Sequence, residues 1–339
     1  MSRMTRSFAL ASLIVVALGA TAPRAAAQVP GRTGTLIITN KAPATATLVD
    51  VATGATLATL PTGNGPHEVV ASRDGRTAVV TDYGTGPAPG STLTVIDVAG
   101  LRVARTISLG EYRRPHGIAY LPGDTLVAVT SEANRAVLVV DVRSGTVVRA
   151  AVTDRLGSHM VGVAADGVRA WTGNIGSNSV TELDLATGRA VRHIDVPTQP
   201  EAINVTPDGN EVWVGSNATK VVSVVDTRTG TVSTAAEGLE WPYRVLFTPD
   251  ARLVLLPDYR GETVRVLERA SRRELGRLSF DGGGPQGITM TPDGRVAFLS
   301  LSARARIVAI DVAARTVIGE VGAGETPDGV AYSSIVVRR

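Results

Sequence analysis

The chain has 339 residues, a formal net charge of +3 and no cysteine. The absence of cysteine excludes disulfides, thiolate metal sites, iron–sulfur clusters and c-type haem attachment, so stability must come from burial and from closure of the fold. Three arginines lie within the first 27 residues, and without them 31 basic residues balance 31 acidic ones. Such a balanced chain has no general electrostatic attraction for nucleic acid.

The first 27 residues have the pattern of a cleavable secretory signal peptide. Arg3 and Arg6 supply a positive start, residues 8–20 are apolar, and the alanines at 25–27 offer a small-residue cleavage site. The apolar stretch is too short to span a bilayer comfortably, and no charged stop-transfer segment follows it. We therefore predict a mature chain, residues 28–339, that is periplasmic or secreted and not inserted in a membrane. A retained membrane anchor is the alternative.

The rest of the chain repeats about every 42 residues. Each unit contains an apolar strand that begins at a variable residue, which follows proline in six of the seven units. The variable residues are His67, His116, His159, Glu201, Tyr243, Gln286 and Asp328, at spacings of 49, 43, 42, 42, 43 and 42 residues. Seven repeats of this length predict an all-β fold, a seven-bladed β-propeller with four-stranded blades, over residues 28–339.

The two ends of the chain predict how the ring closes. Residues 35–60 supply only three strands, and residues 328–333 supply one further innermost strand. Joining the C-terminal strand to the N-terminal three completes the seventh blade. It also removes sheet edges, which otherwise invite aggregation.

The strand and turn motifs point to a known repeat family. Residues 37–40 read Ile-Ile-Thr-Asn and residues 79–82 read Val-Val-Thr-Asp, and Asp-x-x-Thr-Gly and Pro-Asp-Gly turns recur along the chain. With these motifs, essentially the whole mature chain resembles the YVTN family of β-propeller repeats. The resemblance implies a propeller and a periplasmic or cell-surface protein, often of undefined activity. Propellers of this kind serve many unrelated roles, so it does not imply a particular function.

The variable position should lie at the mouth of the central channel, because the innermost strands of a propeller line that channel. The three histidines then occupy consecutive blades, with a carboxylate on either side. Neutral imidazoles with one or two carboxylates suit Zn, Cu, Fe, Ni or Mn. We predict that one such divalent metal is bound by His67, His116, His159, Glu201 and Asp328. The alternative is a metal-free polar channel that takes a small ligand or a partner.

Further residues are predicted around this mouth. Asp82 and Asn174 belong to the blades of two of the histidines and could orient an imidazole through its other nitrogen, as could Glu68. Aromatic and arginine side chains at one rim suit an anionic ligand or a protein partner. The predicted ligand-binding residues are Tyr243, Gln286, Arg244 and Arg114. Residues 83–91 lengthen one loop at the same rim.

Three functions are compatible with these features. The first is a monomeric binding or scaffold protein that holds a small molecule, a metal or a protein partner at the mouth, with no catalytic residue. The second is a metal-dependent, lactonase-like hydrolase or lyase, although no active-site pattern of those enzymes matches these residues. The third is a redox or metal-delivery accessory protein, for which a copper domain and haem-attachment cysteines are lacking. We prefer the first.

Overall fold

The computed structural model describes residue 29 and residues 31–337, so the predicted signal peptide, residues 1–27, lies outside the described residues. Within this part of the chain there are 28 β-strands and two short 3-10 turns, Ile175–Ser177 and Ser302–Arg304. In the same part, no helix is long and apolar enough to cross a membrane. The predicted all-β class is confirmed.

The first half of the chain forms three complete blades and three of the four strands of another. The strands at the N-terminus are β1 (Thr35–Asn40), β2 (Thr45–Asp50) and β3 (Thr56–Pro61). Blade 1 has β4 (Pro66–Ala71), β5 (Thr77–Gly84), β6 (Pro89–Asp97) and β7 (Arg102–Ser108). Blade 2 has β8 (Pro115–Tyr120), β9 (Leu126–Ser131), β10 (Ala136–Asp141) and β11 (Thr146–Val152). Blade 3 has β12 (Ser158–Val163), β13 (Arg169–Asn174), β14 (Ser179–Asp184) and β15 (Arg189–Asp195).

The second half follows the same plan. Blade 4 has β16 (Pro200–Val205), β17 (Glu211–Ser216), β18 (Val221–Asp226) and β19 (Val232–Glu237). Blade 5 has β20 (Leu246–Phe247), β21 (Leu253–Asp258), β22 (Thr263–Glu268) and β23 (Glu274–Ser279). Blade 6 has β24 (Pro285–Met290), β25 (Val296–Leu301), β26 (Arg306–Asp311) and β27 (Thr316–Gly322). The last strand is β28 (Pro327–Ser333).

Blade 7 joins the two ends of the chain. Its strand order is β28-β1-β2-β3, and the other six blades each use four consecutive strands in antiparallel order. The β28–β1 ladder runs from the pair Thr35–Ser333 to the pair Asn40–Pro327. The predicted seven blades and their closure by the C-terminal strand are confirmed.

The core lies between blades and is built from the two middle strands of each. The middle strands are apolar along most of their length and almost wholly buried, as in β1 and β10, whereas outer strands such as β7 alternate and are largely exposed. Trp171 and Trp213, each fully buried on a second strand, belong to this core. Trp213 packs edge-to-face on Phe247 of blade 5, with ring centroids 5.8 Å apart, so the aromatic contact joins two blades.

Threonines on the second strands tie neighbouring blades together beside the channel. Thr39 Oγ1, on β1, donates to the carbonyl of His67 on β4 at 2.7 Å. Thr130 Oγ1, on β9, donates in the same way to the carbonyl of His159 on β12 at 2.7 Å. Each bond runs from one blade to the innermost strand of the next, so it fixes the backbone from which a histidine side chain projects.

Two local features differ from the regular repeat. The segment 83–91 is a β-hairpin extension rather than a long loop, because β5 and β6 continue to the pair Gly84–Pro89. The innermost strand of blade 5 is reduced to two residues, preceded by the isolated bridge Pro242–Asp258. Pro257 on the neighbouring strand has no N–H to donate, which explains why this ladder is interrupted.

Glycine at residue 329 allows β28 to lie against β4, and its replacement should destabilise the ring. A Cβ on Gly329 would lie 2.5 Å from the carbonyl oxygen of His67 and 2.9 Å from Cα of Glu68. We expect Gly329→Ala to lower the free energy of unfolding by about 1–3 kcal/mol, because backbone must move to accommodate the methyl group. Gly86→Ala is the control, since nothing lies within 4 Å of its added Cβ. Equal denaturation midpoints for the two variants would contradict this packing.

Candidate functional site

The seven variable residues lie together at one end of the channel and are mostly buried. Asp328 has no exposed surface, and the side chains of His116, Tyr243, Glu201 and Gln286 are each less than a tenth exposed. His67 and His159 are half-buried. We call these seven residues the mouth ring. Their predicted order around the channel follows from the blade order and is the order in the structure.

The three histidines of the mouth ring are in ring-to-ring contact, and we call them the histidine cluster. The rings of His67 and His116 meet edge-on with centroids 4.8 Å apart. The rings of His116 and His159 are tilted by 31° with centroids 3.7 Å apart. Consecutive blades therefore bring the three imidazoles into one group, as the repeat spacing predicts.

Two of the three imidazoles are oriented by hydrogen bonds at Nδ1. His67 Nδ1 lies 2.9 Å from the carbonyl oxygen of Gly65, and His159 Nδ1 lies 2.9 Å from Oε2 of Glu132. Both partners are acceptors, so Nδ1 carries the proton in each ring and Nε2 presents a lone pair. Each Nε2 lacks a hydrogen-bond partner among the described residues and reaches solvent. His116 Nδ1 is buried with no partner in the same part of the chain.

Burial keeps two imidazoles of this cluster neutral. Desolvation, followed by the nearby charge of Lys41, lowers the pKa of His67 from 6.5 to about 4. Desolvation and the two neighbouring imidazoles hold the pKa of His116 well below its usual value. At neutral pH these two rings are therefore uncharged and available as lone-pair donors.

A second set of side chains packs on the mouth ring, and sequence reasoning missed it. Each lies one residue after the repeat position occupied by Asn40. The members of this outer ring are Lys41, Tyr83, Glu132, Asn217 and Tyr259. Their common repeat phase is the signal that could have identified them. Side chains alternate along a strand, so the residue after one that points into the blade points away from it.

Tyr83 and Glu132 of the outer ring cover the histidine cluster. The Tyr83 ring lies 4.5 Å from the ring of His67 and 5.3 Å from that of His116. Its hydroxyl donates to Glu132 at 3.3 Å. Although burial opposes it, hydrogen bonding to His159 keeps the pKa of Glu132 below its usual value. The cluster thus has a carboxylate partner that was not among the predicted site residues.

The opposite side of the mouth ring is held by charge. Lys41 Nζ lies 2.7 Å from Asp328 Oδ2, and the hydroxyl of Tyr243 donates to Asp328 Oδ1 at 2.9 Å. Burial disfavours the Asp328 carboxylate, but the neighbouring charges, chief among them Lys41, and the hydrogen bond from Lys41 together outweigh it and lower the pKa of Asp328. Glu201 accepts a hydrogen bond from the amide of Asn217. The two predicted acidic ligands are therefore engaged by Lys41 and Asn217.

A buried ion pair crosses the channel below the mouth ring. Arg244 of blade 5 binds Glu68 of blade 1, and the arginine also donates from Nη1 to the carbonyl of Tyr243 at 2.6 Å. Burial raises the pKa of the Glu68 carboxyl, and the Arg244 charge opposes this shift. Glu68 was predicted to orient an imidazole, but its hydrogen-bond partner in the structure is this arginine, because its blade faces blade 5. On the far side of the pair lies a cavity of about 440 Å³ lined by the innermost strands.

Asp82 and Asn174, the other residues predicted to orient an imidazole, hold their own blades together. Asp82 accepts hydrogen bonds from Thr92 at 2.7 Å and Thr94 at 2.9 Å, both on the adjacent strand β6. Asn174 donates to Thr181 at 2.8 Å on β14. These side chains point into the blade, so in the structure they brace neighbouring strands, and the imidazole contact is made by Glu132.

The remaining rim residue, Arg114, lies beside the hairpin of blade 1. Its guanidinium donates to the carbonyl of Gly86 at 3.0 Å and stands 5.0 Å from the centre of the Tyr83 ring. It therefore anchors the hairpin that carries Tyr83 against the histidine cluster.

In the described part of the chain, no group of three or more His, Asp or Glu side chains is arranged so that it could hold a metal ion. The stacked pair of the cluster explains this geometry. Two imidazoles on one tetrahedral zinc have ring centroids roughly 5 Å apart, given Zn–N distances of about 2.0–2.1 Å. The ring centroids of His116 and His159 are 3.7 Å apart, closer than those of two imidazoles bound to one zinc ion.

Breaking the ion pair across the channel should be costly, whereas replacing both partners should not. Removing one partner of a buried pair costs about 3–5 kcal/mol, and an apolar pair of similar volume is near neutral. We expect Arg244→Met and Glu68→Leu singly to lower unfolding free energy by that amount, and the double variant to recover most of it. Lys220→Met, which breaks an exposed pair with Glu240, should cost about 0–1 kcal/mol. Additive single effects would contradict the cross-channel contact.

The pKa of His67 predicts a pH dependence of stability. Its folded-state pKa is about 4 against 6.5 in the unfolded chain, so the unfolded state takes up the proton first as pH falls. The free energy of unfolding should therefore decrease between pH 7 and pH 5, with a contribution from His67 on the order of 2 kcal/mol. In metal-free buffer, His67→Gln should remove that part of the decrease, and His193→Gln should change the profile less, because burial lowers the pKa of this exposed outer-strand residue by less than that of His67. Identical pH profiles for both variants would contradict the assignment.

Comparison with known proteins identifies the fold. No protein-family model and no curated protein matches the chain. A chain of Kuenenia stuttgartiensis hydrazine synthase aligns with a TM-score of 0.71 at 19% identity, covering 87% of this chain and 99% of that one. A functionally unknown protein from Desulfotomaculum acetoxidans DSM 771 aligns with a TM-score of 0.73 at 15% identity, covering 89% and 99%. These likenesses show the β-propeller fold alone.

Proposed function

We propose that the chain is an exported, monomeric propeller of the YVTN-repeat type that binds a ligand at the mouth of its channel. The observation that carries the proposal is the histidine cluster, three imidazoles held in contact on consecutive blades. Grouping buried imidazoles offers little stability of its own, because the Nδ1 of His116 loses water without gaining a hydrogen-bond partner among the described residues. Such a group is expected where another molecule or ion supplies the missing contacts.

The surroundings of the cluster support a binding site with a closed floor. The ion pair between Arg244 and Glu68 crosses the channel beneath it, so a ligand that enters at the mouth meets a polar barrier. Tyr83 and Glu132 cover one side, and Lys41 with Asp328 forms the other. These four side chains come from three blades and are held by their own hydrogen bonds and ion pair, which pre-organises the site before a ligand arrives.

The first test of this function is native mass spectrometry of the full chain, expressed with export and purified without chelators or a histidine tag. We expect a bound species that is lost in His116→Ala and retained in His193→Ala, because His193 lies on the outer strand β15. Accurate mass then distinguishes a metal ion from an organic ligand. A bare chain in every preparation, or a species that survives in His116→Ala, would contradict binding at the mouth.

A further inference from the structure

We infer that the ligand of the histidine cluster is a borderline divalent transition-metal ion. It would be held by Nε2 of His67, Nε2 of His159 and Nδ1 of His116. This inference rests on the proposed function and names the ligand class of the same site. Three features of the cluster support it: the outer hydrogen bonds of two rings, the unpartnered nitrogen of the third ring, and the carboxylate of Glu132, which has no lysine or arginine partner among the described residues.

The outer hydrogen bonds match those of metal-binding histidines. A ligating imidazole usually donates its other ring N–H to a backbone carbonyl or a carboxylate, which fixes the tautomer and the ring orientation. His67 donates from Nδ1 to the carbonyl of Gly65, and His159 donates from Nδ1 to Glu132. Both kinds of partner are therefore present in one cluster, and both leave Nε2 as the free lone pair.

The third ring supplies an independent observation. His116 is 3% exposed, and its Nδ1 is buried without a hydrogen-bond partner among the described residues. A buried ring nitrogen that is left unpaired costs free energy, so it marks a contact that another species completes. The ring centroids of His116 and His159 would have to move from 3.7 Å to roughly 5 Å apart to match a tetrahedral metal site. Metal binding would therefore replace the stacking contact between these two rings with two metal–nitrogen bonds.

Not every carboxylate at the mouth is paired with a lysine or an arginine. The carboxylates of Asp328 and Glu68 are paired with Lys41 and Arg244. Glu132 and Glu201, in contrast, form no ion pair with lysine or arginine in the described part of the chain, although Arg114 near Tyr83 offsets part of the Glu132 charge. The charges of Arg244 and Lys41 act against a cation here, because together with burial and the neighbouring imidazoles they lower the pKa of His116. Glu132 is therefore the carboxylate that would partly neutralise a bound divalent ion.

The donor set also selects among cations. Imidazole nitrogen suits Zn²⁺, Cu²⁺ and Ni²⁺, whereas Mg²⁺ and Ca²⁺ prefer oxygen ligands. Three protein ligands leave a coordination position open toward the mouth, where solvent or a second molecule can bind. The site therefore combines a fixed metal with an exchangeable position.

The test is calorimetric titration of the metal-free full chain with ZnCl₂ and NiCl₂, and with MgCl₂ and CaCl₂ as hard-cation controls. We expect one equivalent of Zn²⁺ or Ni²⁺ to bind and neither hard cation to do so. His116→Ala should abolish stoichiometric binding, and His193→Ala should leave it unchanged. Glu132→Gln should weaken binding by about 10- to 100-fold, because the amide is a poorer partner for His159. Circular dichroism checks that each variant is folded.

Each outcome is decisive. Absence of Zn²⁺ and Ni²⁺ binding, or equal binding in His116→Ala, would overturn the metal assignment. If native mass spectrometry then shows an organic species that depends on His116, the binding function stands and only the metal is wrong. If neither a metal nor an organic species depends on His116, both proposals fail. A Cu²⁺ complex with nitrogen hyperfine coupling that decreases in His67→Ala would confirm imidazole coordination directly.

Discussion

Hydrogen bonding between the first and last strands of the chain holds the propeller in a closed ring, and every channel contact depends on it. Blade 7 is complete only when β28 pairs with β1. The hydrogen bonds between these two strands therefore hold the two ends of the chain together, which no contact within the other six blades does. With no cysteine in the chain, this ladder and the packing between blades replace covalent closure. The same closure brings Asp328, from the last strand, to Lys41, which follows the first. One side of the mouth is therefore built from the two ends of the chain.

The mouth divides into a half that carries the histidine cluster and a half held by ion pairs. On the ion-paired half, Lys41 and Tyr243 hold the Asp328 carboxylate ionised despite its complete burial. On the histidine half, no lysine or arginine of the described residues pairs directly with the imidazoles, and desolvation keeps His67 and His116 uncharged. The arginine–glutamate pair below both halves separates them from the remaining channel. The imidazole nitrogens therefore lie beside the fixed ion pair of Lys41 and Asp328, and the proposed binding site uses both.

The fold could be predicted from the sequence because each repeat carries its own strand and turn signals. The position of the histidines within the repeat also predicts that they share one end of the channel. The side chains that contact them could not be predicted in the same way. Asp82 and Asn174 share a repeat position that reads as polar and near the mouth, yet both side chains turn into their blades to bind threonines. Glu132, one residue beyond that position, makes the imidazole contact instead. The difference is a single step along a strand, which reverses the side of the sheet that a side chain faces.

By itself, the sequence determined the number of blades, the closure by the C-terminal strand and the grouping of three histidines at the mouth, because these follow from repeat period and chain order. Only the tertiary structure decided which side chains meet. The pairing of Arg244 with Glu68 joins residues 176 positions apart across the channel, and no local pattern encodes such a distance. The Lys41–Asp328 contact likewise exists only in the closed ring. The repeat period can be read directly from the order of residues along the chain. The protonation and the partners of a buried group depend instead on all the residues that the fold packs around it.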